Sequence, residues 1–307
     1  MTKIKDIQNI ETTARVIVMI TNIEKKLDKN GNTYTVYELS DGETKVSARH
    51  FADSNLETSN IIEANLNSSL YNGNMTFKIN SYENLTGMPG IDMADFLVSA
   101  PMTDENMNDQ IEELVEKIQN KDLQDFVRHF YQKYEKPLVY YPAAKAHHHN
   151  YYGGLKYHSL CVAKNAYALA TTYDYVNMDL VIAGALLHDI GKLFEYDADV
   201  FSGAEYNAEG NLFGHLFMGA EMVKNEGEKR NISSEILKNL IHIILAHHDN
   251  PEWGAVKMPS TIEARIVSSA DFVDSQVEAM HQVVEATEPG ENANSFVCGV
   301  KPYRPNI

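Results

Sequence analysis

Hydrophobic and polar residues alternate through the first part of the chain and then change to a helical spacing. Val16, Val18 and Ile20 alternate with Arg15, Ile17 and Met19, which predicts a strand with at least one firmly buried face. Lys29-Asn30-Gly31-Asn32 centres an Asn-Gly turn. Residues 34–39 are extended again, with Tyr34, Val36 and Glu38 on one face and Thr35, Tyr37 and Leu39 on the other. Asp41-Gly42 turns the chain, 45–51 makes a third strand, and 75–79 another. Short, turn-linked strands within roughly the first 95 residues predict a small Greek-key barrel, best matched by an OB-fold. Tyr37, Arg49 and Phe51 are expected on its surface, where they would stack on and pair with a single strand. The alternative for the aromatics is that they fill the barrel core.

Residues 92–102 read as a connector ending in Ala-Pro-Met. Ile111, Leu114, Val115 and Ile118, then Leu123, Phe126, Val127 and Phe130, recur at helical spacing until Pro137 and Pro142 interrupt. From residue 154 helix follows helix. One spans 157–172; the next, 179–190, is nearly all apolar and should be a buried central helix. A third covers 215–226. A fourth is capped by Ser233 or Ser234 and carries the stripe Ile236, Leu237, Leu240, Ile241, Ile244 and Leu245. Ser260 is the expected cap of a fifth that runs to about Glu285, and the tail from Pro289 is irregular. The expected fold class is multi-domain α+β: an OB-like nucleic-acid-binding barrel over 1–95, a helical connector over 96–145, an all-α bundle over 146–288, and a tail over 289–307.

Composition narrows the partners. A net charge of −17 argues against a general nucleic-acid coat protein, whose binding face would be basic. It leaves phosphate chemistry open, because bound cations neutralise an acidic site. No run of about 18 apolar residues is present, so no membrane partner is expected. The N-terminus lacks a signal peptide's apolar core, and Cys161 and Cys298 make no disulfide framework. Both point to the cytoplasm.

The candidate chemistry is concentrated. Nine of the 12 histidines fall between His147 and His248. His188-Asp189 sits in Ala-Leu-Leu-His-Asp-Ile-Gly-Lys over 185–192, with His158 upstream and His215, His247, His248 and Asp271 downstream. Neutral imidazole and carboxylate together suit a hard or borderline divalent cation, and facing helices of a bundle can bring such residues together. Neighbours on a helix point about 100° apart, so His188 and Asp189 share a site only where the helix ends. Gly191 is expected to end it as a left-handed cap. Asp189 can then bridge two ions with its two oxygens while His188 holds one. The set points to a metal-dependent phosphohydrolase. His129, His242 and His281 read as hydrogen-bonded structural residues.

These residues resemble a family. His158, His188-Asp189 and Asp271 look like the signature positions of the HD-domain phosphohydrolase superfamily, and His215 and His247 resemble its multi-metal members. The histidines 147–149, Gly153-Gly154-Leu155 before His158, and His247-His248 before Glu252-Trp253-Gly254 are similar to the YhaM-type 3′-to-5′ exoribonucleases, which join an OB-fold to an HD domain. The chain carries Lys156-Tyr157-His158 where many HD-domain relatives carry Leu-Glu-His, so the acid that would support His158 is missing there. The resemblance implies two divalent ions, Mn²⁺ first, with Mg²⁺, Fe²⁺ or Co²⁺ as alternatives. One would take His158, His188, Asp189 and Asp271; the other would share Asp189 and add His215 and His247. Lys192 would add positive charge to the phosphate, and His248 would be a further ligand or an acid for the leaving oxygen. His148 and His149 would contact substrate.

Three readings follow. The first is an exonuclease trimming single-stranded RNA, or DNA, from the 3′ end, with the barrel guiding the strand. The second is an HD-domain phosphohydrolase acting on a small nucleotide: a dNTP, a nucleoside monophosphate or a cyclic dinucleotide. The third is a binding module with a structural helical domain, which the full ligand set argues against. A homo-oligomer is compatible with each.

Overall fold

A computed structural model of the chain describes residues 2–28, 31–71, 74–91, 93–144, 149, 151–199 and 203–307. The expected turn residues Lys29 and Asn30 and the expected site residues His147 and His148 lie outside the described residues. The chain divides into two compact units, Met1–Ser99 with Asp199–Gly203, and Ala100–Ala198 with Ala204–Ile307.

The first unit is built from a short helix, α1 (Ile4–Ile7), and five strands: β1 (Thr12–Leu27), β2 (Thr33–Ser40), β3 (Lys45–His50), β4 (Ile61–Tyr71) and β5 (Asn74–Asn84). They close into a barrel in the order β1-β2-β3-β5-β4, the OB-like architecture expected. Neighbours are antiparallel except β3 and β5, which pair in parallel through Ala48 with Phe77 and Arg49 with Lys78. β1 serves two neighbours: its first half pairs with β4 and its second half with β2, across a register shift between Ile20 and Asn22. Such a bulge bends the strand and so helps closure. β4 had no counterpart in the sequence reading.

Alternation sends Val16, Val18, Ile20, Leu39, Ile62, Leu66 and Ile79 into the barrel core, joined by Ile4 and Ile7 of α1. Tyr37 corrects the sequence expectation. It shares the inward face with Leu39, is 1% exposed, and its hydroxyl donates to Ser54 Oγ at 2.9 Å, so its ring offers no face to a base. Phe51 is 54% exposed and stacks on Tyr34 with ring centroids 5.4 Å apart; Lys78 Nζ lies 5.6 Å from the Phe51 ring.

The second unit contains α2 (Asp104–Val115), α3 (Lys121–Lys133), α4 (Glu135–Leu138), α5 (Gly154–Ala170), α6 (Met178–Leu187), α7 (Lys192–Glu195), the strand pair β6 (Tyr196–Asp199) and β7 (Gly203–Tyr206), α8 (Ala208–Lys229), α9 (Ser234–Ala246) and α10 (Ile262–Glu285). α6 is the axis of the unit. Its residues from 180 to 187 are all buried, and α3, α5, α9 and α10 pack around it. The segment expected as a connector instead contributes Ile111, Leu114, Leu123, Phe126 and Phe130 to the same core. Thr261, not Ser260, caps α10. Its side chain accepts from Ala264 N, while Ser260 N donates to His242 Nε2 at 2.8 Å. Among the described residues no helix is long and apolar enough to cross a membrane.

Candidate metal centre

α6 ends at Leu187, and His188 and Asp189 occupy the turn that follows. Gly191 is not the left-handed cap expected: its backbone is right-handed, with φ −63° and ψ −21°. Close approach is what requires glycine here. A Cβ would lie 2.1 Å from His215 O and 2.6 Å from Gly219 N, so a side chain would push α8 off the turn that carries Asp189.

Five helices or helix ends deliver donors to one place. His158 comes from α5, His188 and Asp189 follow α6, His215 comes from α8, His247 follows α9, and Asp271 comes from α10. His158 Nε2 lies 3.2 Å from His188 Nε2, 3.4 Å from Asp189 Oδ2 and 3.2 Å from Asp271 Oδ1. His188 Nε2 is 3.4 Å from Asp189 Oδ2 and 3.8 Å from Asp271 Oδ1. The other oxygen of the same carboxylate turns elsewhere: Asp189 Oδ1 is 3.4 Å from both His215 Nε2 and His247 Nε2. Donors bound to one cation at about 2.0–2.2 Å sit about 3.0–3.5 Å from each other, which is the spacing seen.

The hydrogen-bond record agrees. Asp189 Oδ1, His215 Nε2, His247 Nε2 and His248 Nδ1 are buried with no hydrogen-bond partner. Each such group costs about 1–3 kcal/mol if nothing satisfies it. Clustered donors of this kind fit a divalent cation.

Four of the histidines that face the cluster are fixed from behind. His188 Nδ1 donates to Ala185 O at 2.7 Å and His247 Nδ1 to Ile244 O at 2.8 Å. His158 Nδ1 donates to Asp274 Oδ2 at 2.7 Å, and His215 Nδ1 to Glu195 Oε1 at 3.0 Å. Carbonyls and carboxylates only accept, so Nδ1 carries the proton in each ring and Nε2 is the atom aimed at the cluster. Asp274 and Glu195 were missed in the sequence. The available signal for Asp274 was its position three residues after Asp271, on the same face of one helix. Glu195 had no comparable signal.

The cage is acid-rich. Burial opposes the charged imidazole of His158, yet hydrogen bonds to Asp189, Asp271 and Asp274 hold it well above its ordinary value. Burial likewise opposes ionised Asp189, but the Lys192 and His188 charges hold its carboxyl well below the usual range. Asp271, despite burial, is held down chiefly by His158 and His188. This excess of negative charge is what a divalent cation would neutralise.

The remaining expected residues separate. Lys192 is buried, its Nζ 2.6 Å from Asp189 Oδ2. His248 joins His215 and His247 in a group of potential ligand atoms within 4.8 Å of one another. Burial, then His247 and His215, push His248 down to about 3. A neutral imidazole is the form that binds a cation. His149 corrects the expectation of substrate contact. It is 1% exposed and its Nε2 donates to Asp274 Oδ2 at 2.8 Å, so it stands behind His158 instead of facing solvent. His129, His242 and His281 bond or face elsewhere: His129 meets Glu226 and Arg230, His242 accepts from Ser260 N, and His281 lies near Glu285. A cavity of about 540 Å³ opens over Asp189, Lys192, His247 and Asp271, and the rings of Trp253 and Phe272 line it.

An HD domain family model matches residues 155–275, a stretch that contains His158, His188, Asp189, His215, His247 and Asp271. A helicase-family model, TraI_2, matches residues 87–208 and overlaps the HD match over 155–208. Over 221 residues the chain is 35% identical to the 3′-5′ exoribonuclease YhaM of Listeria welshimeri, covering 72% of this chain and 70% of that one. The YhaM of a Geobacillus species is 32% identical over 281 residues, 90% of this chain and 86% of its own. That of Halalkalibacterium halodurans is 30% identical over 278 residues, 89% and 86% of the two chains. The chain belongs to the YhaM family. No solved structure matches it. In this YhaM-family chain the carboxylate behind His158 comes from α10, through Asp274, and not from the residue preceding the histidine.

Proposed function

We propose that this YhaM-family chain is a metal-dependent 3′-to-5′ exonuclease that shortens single-stranded RNA through a two-cation centre, with Mn²⁺ as the favoured ion and the cytoplasm as its compartment. The observation that carries this reading is the division of Asp189. Its Oδ2 faces His158 and His188 while its Oδ1 faces His215 and His247. His158, His188, Asp189 and Asp271 would hold one ion; Asp189, His215 and His247 the other, with His248 beside them. When bound, the ions supply an activated water and neutralise charge on the phosphodiester.

The protein's own groups do the rest. Lys192 brings a buried ammonium to the cavity wall, where it can meet a non-bridging phosphate oxygen. Asp274 and Glu195 keep His158 and His215 in the tautomer that points Nε2 inward. On the barrel, the exposed Phe51 ring with Lys78 beside it offers a base a face and a phosphate a charge. The RNA substrate is supported by the relatives, which are 3′-5′ exoribonucleases. A small nucleotide is the second reading, favoured by the net charge of −17.

The test is a 5′-labelled single-stranded RNA, offered to chelated protein resupplied with Mn²⁺, beside single-stranded DNA and a panel of nucleotides. A ladder that shortens from the 3′ end is expected. Intact RNA alongside nucleotide turnover would overturn the reading in favour of the second.

A further inference from the structure

We propose that the ring pair Trp253–Phe272 is a stacking shelf for the base of the terminal nucleotide whose phosphodiester enters the metal centre. This rests on the phosphodiesterase reading above. The two rings are stacked and nearly parallel, with centroids 5.7 Å apart and an interplanar angle of 11°. They are 56% and 46% exposed. They line the same cavity as Asp189, His247 and Asp271. A single exposed aromatic on a protein surface is ordinary. A stacked pair bordering a cluster of cation donors is a built feature.

The backbone holds both rings in register with the donors. Phe272 directly follows Asp271 on α10, so its position is tied to that ligand. Trp253 ends a short turn, Pro251–Trp253, whose first amide is capped by Asn250 Oδ1. Trp253 N donates to Asn250 O at 2.9 Å, and Gly254 closes the turn with φ 100°. Arg265 of α10 reaches Asp249 at 2.6 Å, tying the turn to the helix that carries Phe272. Downstream, Val256 N donates to Leu245 O at 3.0 Å, on α9, the helix that leads into His247.

The chemistry of the shelf fits the charge of the chain. With a net charge of −17, affinity for a polyanion cannot rest on a broad basic face. Stacking does not depend on charge, and every base has a π-face, so the shelf accepts all four. Apart from the Trp253 indole N–H, the ring pair has no group that reads hydrogen-bonding edges. Ser275, which lines the same cavity, turns its Oγ to Phe272 O at 2.9 Å. The shelf therefore takes a terminal nucleotide of any base and sets its phosphate at the donors.

Trp253 is the only tryptophan in the chain, which makes it its own probe. Full-length protein with Mn²⁺ is titrated with AMP, GMP, CMP, UMP and ribose 5-phosphate, following tryptophan emission. The four nucleotides are expected to quench it with affinities within about tenfold of each other. Ribose 5-phosphate should leave emission unchanged and bind about tenfold or more weakly. Phe272→Leu should weaken the nucleotides about tenfold, Phe272→Trp should retain them, and Mn²⁺ affinity should be unaltered in both. Equal binding of ribose 5-phosphate, or nucleotide affinity unchanged in Phe272→Leu, would overturn the shelf. A protein that trims RNA without quenching by any nucleotide loses the shelf and keeps the exonuclease reading. One that quenches but trims no RNA keeps the shelf and loses that reading.

Discussion

Asp274 Oδ2 lies 2.7 Å from His158 Nδ1 and 2.8 Å from His149 Nε2, so one carboxylate oxygen holds a cluster-facing imidazole and the histidine packed behind it. Burial opposes the ionised form of Asp274, but its bonds to His149 and His158 keep it well below the usual carboxylate range. Losing that charge frees the His158 ring to rotate and lowers its basicity. Asp274→Asn should weaken Mn²⁺ binding about 10- to 100-fold, measured by titration calorimetry, with Asp274→Glu recovering part of it. Unchanged affinity in the Asn variant would remove Asp274 from the centre.

Glu195 has the same part behind His215, and a second one. Its Oε1 also accepts from His215 N at 2.9 Å, which pins the start of the helical run after Gly214. Glu195→Gln should lower the affinity of one class of Mn²⁺ sites by about tenfold and leave the other near wild type, read by electron paramagnetic resonance titration. Equal weakening of all sites would mean that Glu195 acts on the whole fold.

Gly191→Ala places a methyl group 2.1 Å from His215 O. Backbone cannot yield as a flexible side chain would. The variant should lose about 1–3 kcal/mol in a urea melt and bind Mn²⁺ more weakly, because the displaced segment carries His215. Wild-type stability would show that α8 and the Asp189 turn are not in close contact.

What the sequence disclosed was chemistry carried by neighbours in the chain. His188-Asp189 before a glycine, and His247-His248 after an apolar stripe, are local patterns, and the helices that deliver them follow from spacing. Residues whose meaning depends on what packs against them were not legible. Asp274 and Glu195 are ordinary acids until His158 and His215 turn their Nδ1 atoms to them. His149 reads as a loop residue until the fold places it behind His158. Gly191 suggested a cap because the nearness of α8 is not written beside it. Tyr37 was half legible: alternation put it on the face of Leu39 but did not say which face was inside.

Glu226 of α8 gathers Lys133 Nζ at 2.9 Å, His129 Nε2 at 2.9 Å and Arg230 Nε at 3.4 Å, and so links α8 to α3. The Lys133 hydrogen bond, outweighing burial, lowers its carboxyl from 4.5 to about 2. A depressed folded value stabilises above the unfolded one, and the contribution is lost as pH falls from 4.5 through about 2. Glu226→Gln should therefore cost about 1 kcal/mol at pH 7, allowing for solvent screening, and little at pH 2. Denaturant melts of both proteins across that range check it; a constant difference would assign the effect to packing.

The central claim is that Asp189 joins two groups of donors around two cations. Its most direct test is the number of Mn²⁺ ions retained per chain, counted by inductively coupled plasma mass spectrometry after gel filtration, in wild type and Asp189→Ala. The account predicts two in the wild type and fewer than one in the variant. Equal metal content in the two proteins, or a wild type that retains no divalent ion, would contradict it.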